Sequence, residues 1–147
     1  MLKQVIISLR PKQWSKNLII FAGLIFSQNL LNTKYFFQSL IAFIIFCLLS
    51  GAVYIINDIA DQEADKKHPV KSKRPIAAGK LRVNQALTAL VIIVIVSLAC
   101  AALFSFKFFL VALSYFALML TYSFFLKKVV ILDVLIVATG FALRALS

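Results

Sequence analysis

Five apolar segments take up most of this chain, at roughly 18–31, 35–56, 86–106, 108–126 and 129–146. Their length decides what they can become, since a helix that crosses a bilayer needs about 20 residues, within a range of about 17–25. The second, third and fourth segments meet that requirement. The first meets it only if residues 14–17 begin its helix, and the fifth ends where the chain ends. Hydrophobic residues make up 63% of the sequence, against about 45–50% for a soluble domain. The expectation is an all-α, multi-spanning transmembrane helical bundle of about five helices. It forms a single transmembrane domain over residues 1–147, with one polar loop at 57–85.

The charge pattern supports the same reading. The net charge is +11, which on a soluble chain would point to nucleic acid. Here the cations lie in short stretches between apolar segments, where topology and anionic lipid account for them, so no nucleic-acid partner is expected. With the N-terminus inside, the inner side receives Lys3, Arg10, Lys12, Lys16, Lys66, Lys67, Lys71, Lys73, Arg74, Lys80, Arg82, Lys127 and Lys128. The outer side receives only Lys34 and Lys107. Cytoplasmic loops carry the excess of Lys and Arg. The chain is therefore expected in the cell inner (cytoplasmic) membrane, multi-pass, with its N-terminus and its polar loop cytoplasmic. Val5–Leu9 is too short for the apolar region of a secretory signal, and no small-residue cleavage site follows it. Cys47 and Cys100 sit inside apolar runs without metal or redox spacing and read as small buried hydrophobes.

The acidic residues are distributed unevenly. The chain has five, and four of them (Asp58, Asp61, Glu63 and Asp65) fall within "NDIADQEAD", directly after the second apolar segment. If that helix continues past the bilayer, Asn57, Asp58, Asp61 and Asp65 share an arc of about 100°, with Tyr54 one turn earlier on the same face. Glu63 points away. Charge runs at helix ends are ordinarily solvated, salt-bridged loops. This one differs in that its carboxylates are concentrated rather than mixed and share a face. Like charges gathered this closely repel each other, and a bound cation removes the conflict. Oxygen-only ligands suit Mg2+, which takes one or two carboxylates and completes its shell with water and substrate phosphates. Asp58 and Asp61 are the candidate catalytic carboxylates, with Asn57 and Asp65 completing the metal set. Lys71, Lys73 and Arg74 are placed to meet the remaining phosphate charge. The spacing is not that of an EF-hand, and "AAGKL" lacks the P-loop frame.

Elsewhere the residues leave alternatives open. Arg10, Lys12 and Lys16 flank Trp14, a pattern that also serves as an interfacial anchor. Asp133, in the fifth segment, is an ionisable group inside an apolar run and a functional candidate by default. Arg144 shares its helical face within about 20°, and either lines the same cavity or snorkels to the headgroups. Tyr122 and Lys127 reach the cavity mouth or merely set topology. His68, beside Pro69, reads as a loop residue rather than a general base.

The "NDIADQEAD" stretch resembles the N-D-x-x-D-x-x-x-D signature of the UbiA superfamily of intramembrane prenyltransferases. "RPKQWSKN" (Arg10–Asn17), "HPVKSKRPIAAGKL" (His68–Leu81) and "YSFFLKKVVILDVLIVATGFALRA" (Tyr122–Ala145) are similar to the branch that contains decaprenyl-phosphate phosphoribosyltransferase. The resemblance implies a bundle of about nine helices around a cavity open to cytoplasm and lipid. It also implies Mg2+ on two aspartate-rich motifs and a diphosphate-bearing donor. In the phosphoribosyl branch the donor is phosphoribosyl pyrophosphate and the acceptor a polyprenyl phosphate, for cell-envelope precursors. It favours phosphate contact for Lys12 and Lys16. Such proteins are about twice this length, so the chain is expected to be an N-terminal portion that lacks the second motif and a C-terminal half. Two rival readings stand beside transfer of a phosphoribosyl group. One is prenyl transfer to an aromatic or other polar acceptor, and the other is a non-catalytic half-bundle.

Overall fold

The computed structural model describes residues 1–123, and these form helices joined by turns, with no strand among them. A short helix, α1 (Leu2–Ser8), runs into a corner at Leu9–Arg10. Pro11 opens a 3-10 helix, Pro11–Ile20, as its fixed φ suits a first helical position. The proline ring also closes the right-handed region to the residue before it. Arg10 takes φ 52, ψ 63 instead, a left-handed conformation that costs about 1–2 kcal/mol in a non-glycine residue. The 3-10 helix passes directly into α2 (Phe21–Phe26). The first apolar segment thus begins its helix early, at Pro11. With about 2.0 Å of rise per 3-10 residue and about 1.5 Å per α residue, the pair covers close to the 30 Å of a hydrocarbon core.

Among the described residues, two helices are long and apolar enough to cross a membrane. These are α3 (Thr33–Ala60, 28 residues) and α5 (Val83–Phe104, 22 residues). Asn32 caps α3, its side chain accepting from the Lys34 N–H at 3.1 Å. At about 1.5 Å per residue α3 is about 42 Å long, so its last two turns project beyond a 30 Å core that begins at its N-terminus. The helix breaks at Asp61 (φ −96, ψ 10) and resumes as α4 (Gln62–Lys67). The break barely changes the pitch, because Asp61 N–H donates to Asn57 C=O at 2.9 Å and Asp65 N–H to Asp61 C=O at 2.8 Å. A second short 3-10 turn, Lys71–Lys73, and a turn through Gly79 (φ 69) lead to α5. There Gln85 Oε1 accepts from Arg82 N–H at 3.3 Å. After Ser105 the chain turns into α6 (Phe106–Thr121), an apolar helix of 16 residues. The end of the fourth apolar segment and all of the fifth lie outside the described residues.

Two cores hold these elements together. In the larger, Phe46, Leu49 and Ala52 of α3 meet Ala101 of α5 and Phe108, Ala112 and Tyr115 of α6. Alanines at the crossings let the backbones approach closely, which replaces the hydrophobic drive that lipid cannot supply. Phe46 fills the centre, 5.1 Å from Tyr115 and 6.0 Å from Phe108 between ring centroids. The smaller core lies at the far end of α3. Here Val5, Leu9, Ile55, Ile76, Leu81 and Ala86 pack together. It fixes both the N-terminal corner and the loop 75–82 against the end of α3, where the acidic residues are. On its outer face α5 exposes Leu87, Val91, Ile92, Ile95, Val96 and Leu103, as expected of a helix facing lipid.

Candidate functional site

The smaller core brings two arginines to the acidic end of α3. Asp58 is 1% exposed and Asp65 2%. Buried carboxylates this close persist only when paired and hydrogen-bonded. Arg74 Nη1 donates to Asp58 Oδ1 at 3.1 Å and to Asp65 Oδ2 at 2.6 Å, bridging the two carboxylates. From the opposite side Arg10 Nη2 donates to the same Asp58 Oδ1. The Arg10 guanidinium also lies over the Tyr54 ring, 4.6 Å from its centroid, a cation–π contact that adds to the hold. The cluster carries two negative and two positive charges. Its arginine side chains keep 28% and 25% exposure, so the guanidiniums form the wall between the carboxylates and solvent.

The geometry of the N-terminal corner follows from three contacts. The Leu9 carbonyl accepts from Trp14 Nε1–H at 3.2 Å. Leu9 packs directly on Gly51 of α3, where an added Cβ would stand 3.2 Å from the Leu9 carbonyl oxygen. Asn17 is buried, and its Nδ2 donates to Cys47 Sγ and Ser50 Oγ, both at 3.2 Å. Together these pin the corner to α3, and the left-handed backbone at Arg10 turns the arginine toward Asp58.

The residues singled out in the sequence fall into three groups. Asp58, Asp65, Arg74 and Tyr54 come together. Asn57 and Asp61 lie beside them, both half-buried, with Asp61 at the helix break. Lys12, Lys16, Lys71 and Lys73 are exposed, and no ion pair among the described residues holds them. Glu63 points away and pairs with Lys66 at 2.6 Å, which holds its carboxyl below the ordinary glutamate value, first through the hydrogen bond and then through charge. His68 is a loop residue whose Nδ1 accepts from the Val70 and Lys71 N–H groups at 3.2 and 3.3 Å. Tyr122 follows the end of α6, while Lys127, Asp133 and Arg144 lie outside the described residues. Arg10 enters the site without having been assigned to it by sequence. Its only signal was its place at the head of "RPKQWSKN", a block that reads equally as an interfacial anchor.

The donor set can be tested against a divalent cation. Among the described residues no three Asp, Glu, His or Cys side chains gather closely enough to hold a metal ion. Asp58 and Asp65 do converge, and Asp58 Oδ2 is buried without a hydrogen-bond partner. Mg2+ commonly takes only one or two carboxylates and fills its remaining positions with water and phosphate oxygens. The pair fits an ion of that kind, and its unpartnered oxygen is the natural ligand. The arrangement as a whole is suited to gripping a polyanion through a cation and flanking arginines.

The profile described as the UbiA prenyltransferase family matches residues 17–147. A decaprenyl-phosphate phosphoribosyltransferase of Corynebacterium glutamicum is 37% identical over 144 residues, covering 95% of this chain and 43% of that protein. A Mycobacterium tuberculosis protein of the same name is 34% identical over 148 residues, covering 97% of this chain and 49% of its own length. An uncharacterised protein of Sinorhizobium fredii is 40% identical over 136 residues, 92% of this chain and 26% of that protein. The chain therefore spans about half, or less, of the curated relatives it matches.

Proposed function

Because the chain belongs to the UbiA prenyltransferase family, a family of membrane-embedded transferases, we propose that it carries the donor-binding half of an integral membrane transferase. That enzyme moves a phosphoribosyl group from phosphoribosyl pyrophosphate to a polyprenyl phosphate. The observation that carries this reading is the Asp58–Asp65 pair bridged by Arg74 and capped by Arg10 at the projecting end of α3. The likeness to two proteins named for that reaction supports the choice of donor. On this reading the N-terminus and the polar loop are cytoplasmic, where a soluble donor would be met, and the cation asymmetry supports that orientation. A second aspartate-rich motif, as the family resemblance implies, would belong to the part of the relatives that this chain does not span.

Asp58 and Asp65, with Asp61 and Asn57 beside them, would hold Mg2+, and the bound ion would supply positive charge to the leaving diphosphate. The chain's own part is binding and orientation. Arg10 and Arg74 present guanidinium forks that match phosphate geometry. Lys12, Lys16, Lys71 and Lys73, exposed in the two segments that supply the arginines, would raise the local concentration of an anionic donor. In the reaction the bond from the ribose anomeric carbon to the diphosphate oxygen breaks, and the diphosphate leaves with the electron pair. The carbon becomes oxocarbenium-like, and a bond forms from an oxygen of the acceptor phosphate. That oxygen is already anionic, so no general base is required. The lipid tail would lie between helices, among apolar side chains.

The test is a chimera in which this chain replaces the matching part of the C. glutamicum relative, assayed in membranes. Ribose-labelled phosphoribosyl pyrophosphate should label polyprenyl phosphate. Label moving only from a prenyl diphosphate to a polar acceptor would favour the prenyltransferase reading. A correctly inserted chimera that transfers neither label, beside an active relative, would return the chain to a non-catalytic role.

A further inference from the structure

Arg10 and Arg74 hold the carboxylates through single-nitrogen contacts that leave most of their donors unused. Each guanidinium offers five N–H donors, yet among the described residues only one nitrogen of each is engaged with a carboxylate, and both arginines converge on the single oxygen Asp58 Oδ1. Neither pairing is the two-pronged contact that makes an arginine–carboxylate bond strong. The remaining donors sit on side chains that keep about a quarter of their surface exposed, at 28% and 25%. Both arginines also come from outside the long helices, one from the Leu9–Arg10 corner and one from the loop after Lys73. Their side chains can swing without any shift of α3.

A divalent cation at Asp58 and Asp65 would have to contend with these two positive groups. If the guanidiniums stayed in place, two like charges on Oδ1 and the metal at Oδ2 would crowd one carboxylate. If they left with nothing to receive them, two charges would lose their partners. A diphosphate resolves both difficulties, since its oxygens accept from the released forks while the carboxylates turn to the cation.

We propose that Arg10 and Arg74 are exchangeable counterions that pass from Asp58 and Asp65 to the donor's diphosphate as a divalent cation takes the carboxylates, so that cation and diphosphate bind as a coupled pair. This rests on the donor-site reading above. Its distinctive consequence is one of sign. An arginine that competes with the cation for Asp58 weakens the cation when it binds alone, so removing that arginine should tighten it. The same removal should weaken the diphosphate and shrink the mutual enhancement, because coupling between two ligands is reciprocal.

The experiment uses the whole chain in nanodiscs, with Mn2+ binding followed by electron paramagnetic resonance, with and without inorganic pyrophosphate. In the parent chain, saturating pyrophosphate should tighten Mn2+ by at least about 10-fold. Arg10→Gln should bind Mn2+ alone several-fold more tightly than the parent and show a smaller enhancement by pyrophosphate. Arg10→Lys, which keeps the charge but loses the fork, should lie between them and shows whether the site still folds. Mn2+ binding that depends on Asp58 but is unchanged or weakened in Arg10→Gln, with the enhancement intact, would overturn the exchange while leaving the donor site standing. No Asp58-dependent Mn2+ binding in either condition, tested with Asp58→Asn, would overturn the exchange and the donor site together.

Discussion

Gly51→Ala tests whether the N-terminal corner positions Arg10. A Cβ at this position would lie 2.6 Å from Leu9 Cδ2, 3.1 Å from Leu9 Cβ and 3.2 Å from the Leu9 carbonyl oxygen. Carbon atoms in good contact stand about 3.5–4.0 Å apart. Leu9 Cδ2 can rotate away, but Cβ and the carbonyl move only with the backbone, so the corner must retreat by roughly half an ångström. Overpacking of this kind costs about 1–3 kcal/mol, and replacing a helical glycine with alanine returns about 1 kcal/mol. The net loss of stability should therefore be at most about 2 kcal/mol, and the protein should still insert. The effect on the site should be larger than the effect on folding. Arg10 follows Leu9 directly, and a hydrogen bond to a charged group is worth about 1.5–3 kcal/mol. Losing much of it should raise the donor KM by about 10-fold or more in the chimera, equivalent to about 1.4 kcal/mol. Gly23→Ala is the control, because a Cβ there meets nothing within 4 Å, and its kinetics should match the parent. If Gly51→Ala keeps parental donor kinetics while Arg10→Gln does not, the corner does not set the position of Arg10 and the reasoning fails.

Other outcomes follow from the same geometry. Arg74→Gln should raise the donor KM by at least about 10-fold, whereas Lys73→Gln, exposed beside it, should change it by less than about 3-fold; equal effects would mean a diffuse basic patch. Glu63→Gln should leave transfer near normal, since this residue faces solvent with Lys66, and a loss matching that of Asp61→Asn would contradict the placement of the site. Trp14→Phe removes the donor to the Leu9 carbonyl and should lower stability by about 1 kcal/mol, read as a fall in detergent melting temperature. A Thr33→Cys variant should be labelled by an impermeant thiol reagent from outside the cell; labelling only after lysis would reverse the orientation.

Particular residues show what could be read from the sequence and what could not. The apolar runs at 35–56 and 86–106 became α3 and α5 because, at that length, hydrophobicity alone specifies a spanning helix. Helical pitch was enough to separate Glu63 from Asp58, since the break at Asp61 preserves the i to i+4 register. The 3-10 start at Pro11 was less legible, because its first residues are polar and give no apolar periodicity. The Arg10–Asp58 pair was not legible at all. Its partners are 48 residues apart, and the contacts that pin the Leu9–Arg10 corner to α3 bring them together. Among the loop cations, sequence gave no way to distinguish Arg74 from Lys71 and Lys73. The burial of Ile76 and Leu81 beneath the loop turns Arg74 inward and leaves the lysines in solvent.

On the proposed function Asp58, gripped by Arg10 and Arg74, is the centre of a donor diphosphate site. The most direct measurement is transfer of ribose label from phosphoribosyl pyrophosphate to polyprenyl phosphate by the chimera, with and without Asp58→Asn, at matched membrane insertion. Transfer is expected from the parent chimera and background counts from Asp58→Asn, because the substitution removes a buried charge that both arginines and the cation require. Transfer by Asp58→Asn at more than about a tenth of the parental rate, less than about 1.4 kcal/mol of lost transition-state binding, would contradict it.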